Sequence, residues 1–182
     1  MKIGKFIFTF FAGLVVMSNA IAGGFVIQSN DLAGGHFNNA QTSDGFGCHG
    51  GNISPAISWS GEPAGTKSFL VTMYDPDAPT GSGFWHWVVA NLPARVHTLG
   101  LGAGSEVGRL PKGAMAIRND TGKAGYLGPC PPEGESHRYI ITVAALKVPD
   151  LPVDSTATPA VVGFFAHYQE LAKATITVQY AR

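Results

Sequence analysis

Seven short runs rich in β-branched and aromatic residues set the first constraint on this chain: GFVIQS, AISWSG, SFLVTMY, FWHWVVANL, AMAIR, RYIITVAAL and ATITVQYA. Each is bounded by glycine, proline or small polar residues, and several alternate apolar with polar side chains, the pattern of strands that bury one face. The 24 glycines and 12 prolines punctuate the chain without gathering into a linker, so one domain with many turns is expected. One stretch departs from this pattern. In TPAVVGFFAHYQELAKA, Val161, Phe164, Phe165, Tyr168, Leu171 and Ala172 recur at helical spacing, Thr158 suits an N-cap and Pro159 the first helical position. The expectation is a mainly β domain with one late helix over about 158–173, packed on a sheet and followed by a last strand. The glycine-rich stretch from Leu99 to Arg109 is expected to form a mobile surface excursion.

Residues 1–22 carry Lys2 and Lys5, an apolar run from Phe6 to Met17, and Ala20 and Ala22 in small-x-small spacing, which reads as a secretory signal peptide cut after Ala22. The run is shorter than the ~20 residues of a comfortable membrane span. The remaining domain, 23–182, is therefore expected to be exported, periplasmic or secreted, with no stable membrane insertion. Loss of Lys2 and Lys5 leaves ten basic residues against twelve acidic ones. So balanced a chain has no electrostatic footprint for nucleic acid, and any anion must be held by local groups. Cys48 and Cys130 are the only cysteines. In an oxidising compartment they read as a disulfide, closing a loop of about 80 residues and contributing about 4 kcal/mol. Two buried free thiols are the alternative.

The chemistry concentrates in two places. The first is YDPDAPTGSGFWHW, Tyr74 to Trp87, where a strand runs into Asp75 and is ended by Pro76 and Pro79, which cannot donate to a ladder. The Ala78–Pro79 bond lies in a tight turn, where a cis isomer is an option. Asp77 is expected to hold this turn as an Asx-type hydrogen bonder. Strict alternation in FWHWVVANL would place Phe84, His86 and Val88 on one face and Trp85, Trp87 and Val89 on the other. The second place is GPCPPEGESHRYIITV, again a proline-rich loop, then a histidine, then a strand, with His137 and Tyr139 on one face. Two such units suggest two walls of one pocket.

Taken together, DPDAP, WHWVVANLP and GPCPPEGESHRY resemble the phosphatidylethanolamine-binding protein family, in its bacterial branch called Raf kinase inhibitor-like. The resemblance runs from about Phe25 to the C-terminus and takes in SPAISW, GYLGPCPP and the late helix with its strand. It implies a Greek-key β-sandwich with short peripheral helices and a small anion-binding pocket at one end. Residue by residue, it implies a pocket lined by Asp75, Pro79 and His86 from the first motif and by Pro131, Pro132, His137 and Tyr139 from the second. Phe84 stands where Trp is frequent, keeping the wall aromatic but losing a donor. Glu135 replaces the glycine of a usual Gly-x-His-Arg, which puts a carboxylate at the rim. A homodimer is compatible with the resemblance.

The resulting functional expectation is an exported, non-enzymatic binding protein for phosphate or a phospho-head-group, with no cofactor. His86, His137, the Tyr139 hydroxyl and backbone amides would supply donors. The charge of Asp75 is expected to raise the pKa of its histidine neighbour and favour the cationic donor. Two alternatives stay open: an interaction protein that inhibits a kinase or protease, and an acid/base or metal-dependent hydrolase. Against the hydrolase, no Gly-x-Ser-x-Gly elbow occurs and Ser136 would point away from His137. A zinc site of Asp75, His86 and His137 lacks a closely spaced ligand pair. His36, His49, His97 and His167 show no partner in the sequence and are assigned to surface or packing roles.

Overall fold

The computed structural model describes residues 24–105 and 109–182, so the signal-peptide segment lies outside the described residues. The described residues build two antiparallel sheets and one short helix. A three-stranded sheet has the order β1 (Val26–Gln28), β2 (Ile57–Ser60), β5 (Thr98–Leu99). A five-stranded sheet has the order β6 (Met115–Ala116), β4 (Phe84–Pro93), β3 (Ser68–Asp75), β7 (Ser136–Leu146), β8 (Glu170–Ala181). The expected mainly β sandwich is therefore found, and it is not a closed barrel. Among the described residues it carries a single α-helix, α1 (Pro159–His167), rather than several peripheral ones.

The larger sheet is buried on both faces over much of its length, which is why its middle strand, SFLVTMYD, reads as a nearly continuous apolar run. Phe69, Val71 and Met73 of β3 meet Trp87, Val89, Tyr139, Ile141 and Val143 between the sheets, against Ile57, Trp59 and Leu99 of the smaller sheet. Leu70, Val88, Ala90, Ala144 and Leu146 face the other way and are covered by Ile117, Leu151, Val162 and Ala166. Each fully buried side chain of this size contributes about 1.5–3 kcal/mol relative to an exposed one.

The helix starts as expected, with Thr158 capping the Val161 amide and Pro159 in the first turn. It ends earlier than expected, at His167 rather than near 173. From Glu170 the residues alternate, with Ala174 and Val178 buried and their neighbours outward, so a period of two and eleven pairings with β7 override the helical spacing of Leu171 and Ala172. The buried face also differs. Val162 and Ala166, with Pro159, pack inward, whereas Val161, Phe164 and Tyr168 stand exposed. Small residues let the helix approach the sheet closely, and the large ones are left outside.

Two further expectations are corrected. The described part of the glycine-rich stretch is not a surface excursion: Ala103 is buried, Gly104 donates to Ser54 Oγ at 2.8 Å, and the Ser105 hydroxyl accepts from the Ser54 amide at 2.8 Å. A Cβ on Gly104 would lie 2.5 Å from the Trp87 indole, so this glycine serves close packing. Alternation along β4 is also broken. Met73 pairs with Trp87 but Tyr74 with Trp85, leaving His86 as the extra residue of a β-bulge. Trp87 consequently enters the inter-sheet core while Trp85 packs on the outer cluster.

Candidate functional site

The bulge aims His86 sideways, into a cavity of about 140 Å³ at the end of the larger sheet. Asp75, Pro79, Phe84, His86, Pro131, Pro132, His137 and Tyr139 all line it. Two chain segments distant in sequence thus meet: the turn after β3 with the start of β4, and the loop before β7 with that strand's first residues. The sharp turn between β3 and β4 needs Gly83, at φ +70°, where a Cβ would run into the Tyr74 ring and the Asp75 carbonyl. Ala78–Pro79 is trans.

Asp75 organises the site. One of its oxygens, Oδ1, accepts from the amides of Asp77 and Ala78 at 2.8 and 3.0 Å, so Asp75, not Asp77, is the residue that holds the turn. Asp77 instead takes a forked pair from Arg138, at 2.9 and 2.6 Å, outside the cavity. This pairing holds its carboxyl down at about 2, through the Arg138 side chain first and the Arg138 amide second. The other oxygen of Asp75, Oδ2, lies 2.7 Å from His137 Nδ1 and 3.9 Å from His86 Nε2.

The two histidines occupy opposite electrostatic states. His86 donates from Nδ1 to the Leu127 carbonyl at 3.1 Å, since a carbonyl can only accept. Burial is the dominant influence and holds its pKa down to about 4, overriding the Leu127 carbonyl and the charge of Asp75. The expectation that Asp75 raises its neighbour's pKa fails for His86, which is neutral at pH 7 with the Nε2 lone pair facing Asp75. His137 lies between two carboxylates, Asp75 on Nδ1 and Glu135 Oε2 on Nε2 at 3.0 Å. Both nitrogens must donate to satisfy both contacts. Burial works against the cation here too, but the hydrogen bonds to Glu135 and Asp75 outweigh it and raise the pKa.

Tyr139 completes the floor. Its ring lies 5.1 Å from His86 and its hydroxyl is buried without a hydrogen-bond partner of normal geometry. Burial and then the charge of Asp75 push its ionisation upward, so the group is a neutral O–H donor. The walls are apolar, from Pro79, Phe84, Pro131, Pro132 and Leu127.

Phe46 was not anticipated. It overhangs the cavity with φ +56° and is largely exposed. The cysteine spacing carried the signal that would have found it. Cys48 and Cys130 form the disulfide, with Cα atoms 6.0 Å apart, and this draws the loop bearing Phe46 against Pro131. Arg182 braces the same junction through the Phe46 and Gly47 carbonyls, at 3.3 and 2.9 Å, and through Glu133 at 3.3 Å. Gly128 lies so close to the Gln41 carbonyl that a Cβ would approach it to 2.2 Å, so the two loops pack backbone to backbone. Of the remaining histidines, His97 does have a partner, Glu62 at 2.7 Å. Among the described residues no group of three His, Cys, Asp or Glu side chains has the geometry to hold a metal ion, and no helix is long and apolar enough to cross a membrane.

Comparison with known proteins gives concordant results. The sequence pattern of the family described as phosphatidylethanolamine-binding protein matches residues 33–181. YbhB of Escherichia coli (strain K12) is 54% identical over 138 residues, covering 76% of this chain and 87% of the relative. YbcL of the same organism is also 54% identical over 138 residues, covering 75% of each chain. The crystal structure of Escherichia coli YbcL, described as a new member of the mammalian family, superposes with a TM-score of 0.85 at 48% identity, over 88% of this chain and 99% of that one.

Proposed function

The chain belongs to the phosphatidylethanolamine-binding protein family, and on that premise we propose that it is an exported binding protein whose cavity holds a small phosphate-bearing ligand without altering it. The observation that carries this reading is the convergence of Asp75, His86 and His137 on one open cavity with apolar walls of Pro79, Phe84, Pro131 and Pro132. The Tyr139 hydroxyl, buried at its floor beside Asp75 without a hydrogen bond of normal geometry, is a further polar group there. Nearby, His86 Nε2 and Asp75 Oδ2 are both acceptors, 3.9 Å apart. The ligand must therefore bring a donor as well, such as the O–H of a hydrogen phosphate or an ammonium group. His137, cationic between its carboxylates, adds the positive charge.

Hydrolysis through a side-chain nucleophile is disfavoured by the same inventory. The cavity's other hydroxyl, Thr80, is committed to the Gly83 carbonyl, and Cys130 is oxidised, so the Asp75–His137 pair faces no free nucleophile. Export is supported by the N-terminal segment and by the disulfide, which persists in oxidising compartments. The decisive experiment is calorimetric titration of the purified protein with inorganic phosphate and with phosphoethanolamine, beside His137→Ala. Saturable binding that the substitution weakens at least about tenfold, the loss of one charge-assisted hydrogen bond, is expected; absence of binding to either ligand would overturn the reading. A protein-interaction role is favoured by one observation, the exposed Val161 and Phe164 on α1 with Tyr168 at its C-cap. A partner held there would be captured equally well by His137→Ala.

A further inference from the structure

Both nitrogens of His137 are already occupied, Nδ1 by Asp75 and Nε2 by Glu135 Oε2 at 3.0 Å. The Glu135 carboxylate is half exposed while Asp75 and the imidazole are buried, so Glu135 is the partner that an incoming anion can displace. The backbone of Glu135 is held independently of its side chain: its amide donates to the Pro132 carbonyl and its carbonyl accepts from the Arg182 amide, each at 3.1 Å. The side chain can therefore swing away without moving the loop. The charges that face His137 are Asp75 from β3 and Glu135 from its own loop; Asp77, beyond Asp75, is paired with Arg138, Glu133 with Arg182, and His86 from β4 is neutral. The imidazole of His137 thus stands between two carboxylates, one lining the cavity and one at its edge.

We propose that Glu135 is an internal competitor for the anion site, which a ligand must displace from His137 Nε2, and that it thereby sets which phosphate-bearing ligands are held. A bare phosphate meets the repulsion of the displaced carboxylate. A phosphate that carries an ammonium group a few atoms away gives the displaced carboxylate a new partner at the rim. Glu135 therefore discriminates against simple anions and in favour of zwitterions.

This inference rests on the pocket reading above, and two measurements separate them. The first is the titration of the His137 imidazole by NMR in ligand-free protein, in the wild type and in Glu135→Gln and Glu135→Gly. Both substitutions should shift its midpoint downward. The second is calorimetry of the same three proteins with inorganic phosphate and with phosphoethanolamine. Removing one negative charge at this partly exposed distance should strengthen phosphate binding about fivefold. Phosphoethanolamine should gain less, so the ratio of the two affinities falls. Phosphate binding that appears only in the variants also supports the proposal. An unshifted His137 midpoint, or an unchanged affinity ratio with binding intact, overturns this inference alone. Failure of both ligands to bind any of the three proteins overturns the pocket reading and this inference with it.

Discussion

The two walls of the cavity use the same local design, a proline-rich loop leading through a histidine into a strand, yet they deliver opposite charge states. On the β4 wall the histidine is the extra residue of a bulge, sealed by Phe84 and Tyr139 rings 5.0 and 5.1 Å away, and burial keeps it neutral. On the β7 wall the histidine follows regular alternation and is gripped on both nitrogens by carboxylates, which raise its pKa and favour the cation. Both rings are almost inaccessible to water. Depth of burial and the acceptors directed at the ring act together: His86 lies deep among protein atoms, whereas His137 lies nearer the surface beside a half-exposed carboxylate.

Removing the shared carboxylate should break this contrast most severely. Asp75→Ala leaves His137 with only the rim carboxylate and frees two turn amides; breaking a buried pair of this kind costs about 3–5 kcal/mol. Urea unfolding measures the loss, and a cost within error of zero would mean that Asp75 is not the organiser. The next effect is pH-dependent. His86 titrates at about 4 in the folded protein and at about 6.5 in the unfolded chain. Its contribution is therefore complete above about pH 6.5 and is lost as pH falls toward 4, up to about 3 kcal/mol. His137 has the reverse sign: its raised pKa gives stability that is full below about pH 6.5 and disappears as pH rises through the folded value. Unfolding of wild type and His86→Gln from pH 4.5 to 8 isolates the first limb, and parallel curves would refute it. The smallest effect should fall on Tyr139→Phe. Because the hydroxyl meets Asp75 and Cys130 only in poor geometry, stability should change by under about 0.5 kcal/mol, whereas phosphate affinity should drop by about fivefold. A loss of stability without a loss of affinity would identify a structural hydroxyl.

Much of this could be read from residues alone. The strand runs, the helix start at Thr158 and Pro159 and the fold itself were legible because period and capping are local properties. So was the placement of the eight lining residues around one cavity, although there the resemblance to a known family did what spacing by itself does not. The charge states were not legible. They depend on the Leu127 carbonyl and on the Glu135 side chain turning back onto His137, contacts that no residue pattern specifies. The bulge was equally hidden, since FWHWVVANL alternates well and only the pairing with β3 reveals the extra residue. The helix end was misread because Leu171 and Ala172 satisfy both periods, and the competition was settled by pairing with β7. The outward aromatic residues of α1 show the same limit, for helical spacing identifies a stripe without telling which side of it the sheet will take.

The Cys48–Cys130 bridge joins two loops outside the strands, and Cys130 lines the mouth of the cavity. Opening it in a thiol-reducing environment should loosen the Phe46 lip, which Arg182 and the bond from the Ser43 amide to the Pro129 carbonyl would still brace. The bridge thus ties the shape of the cavity mouth to the oxidation state of two cysteines.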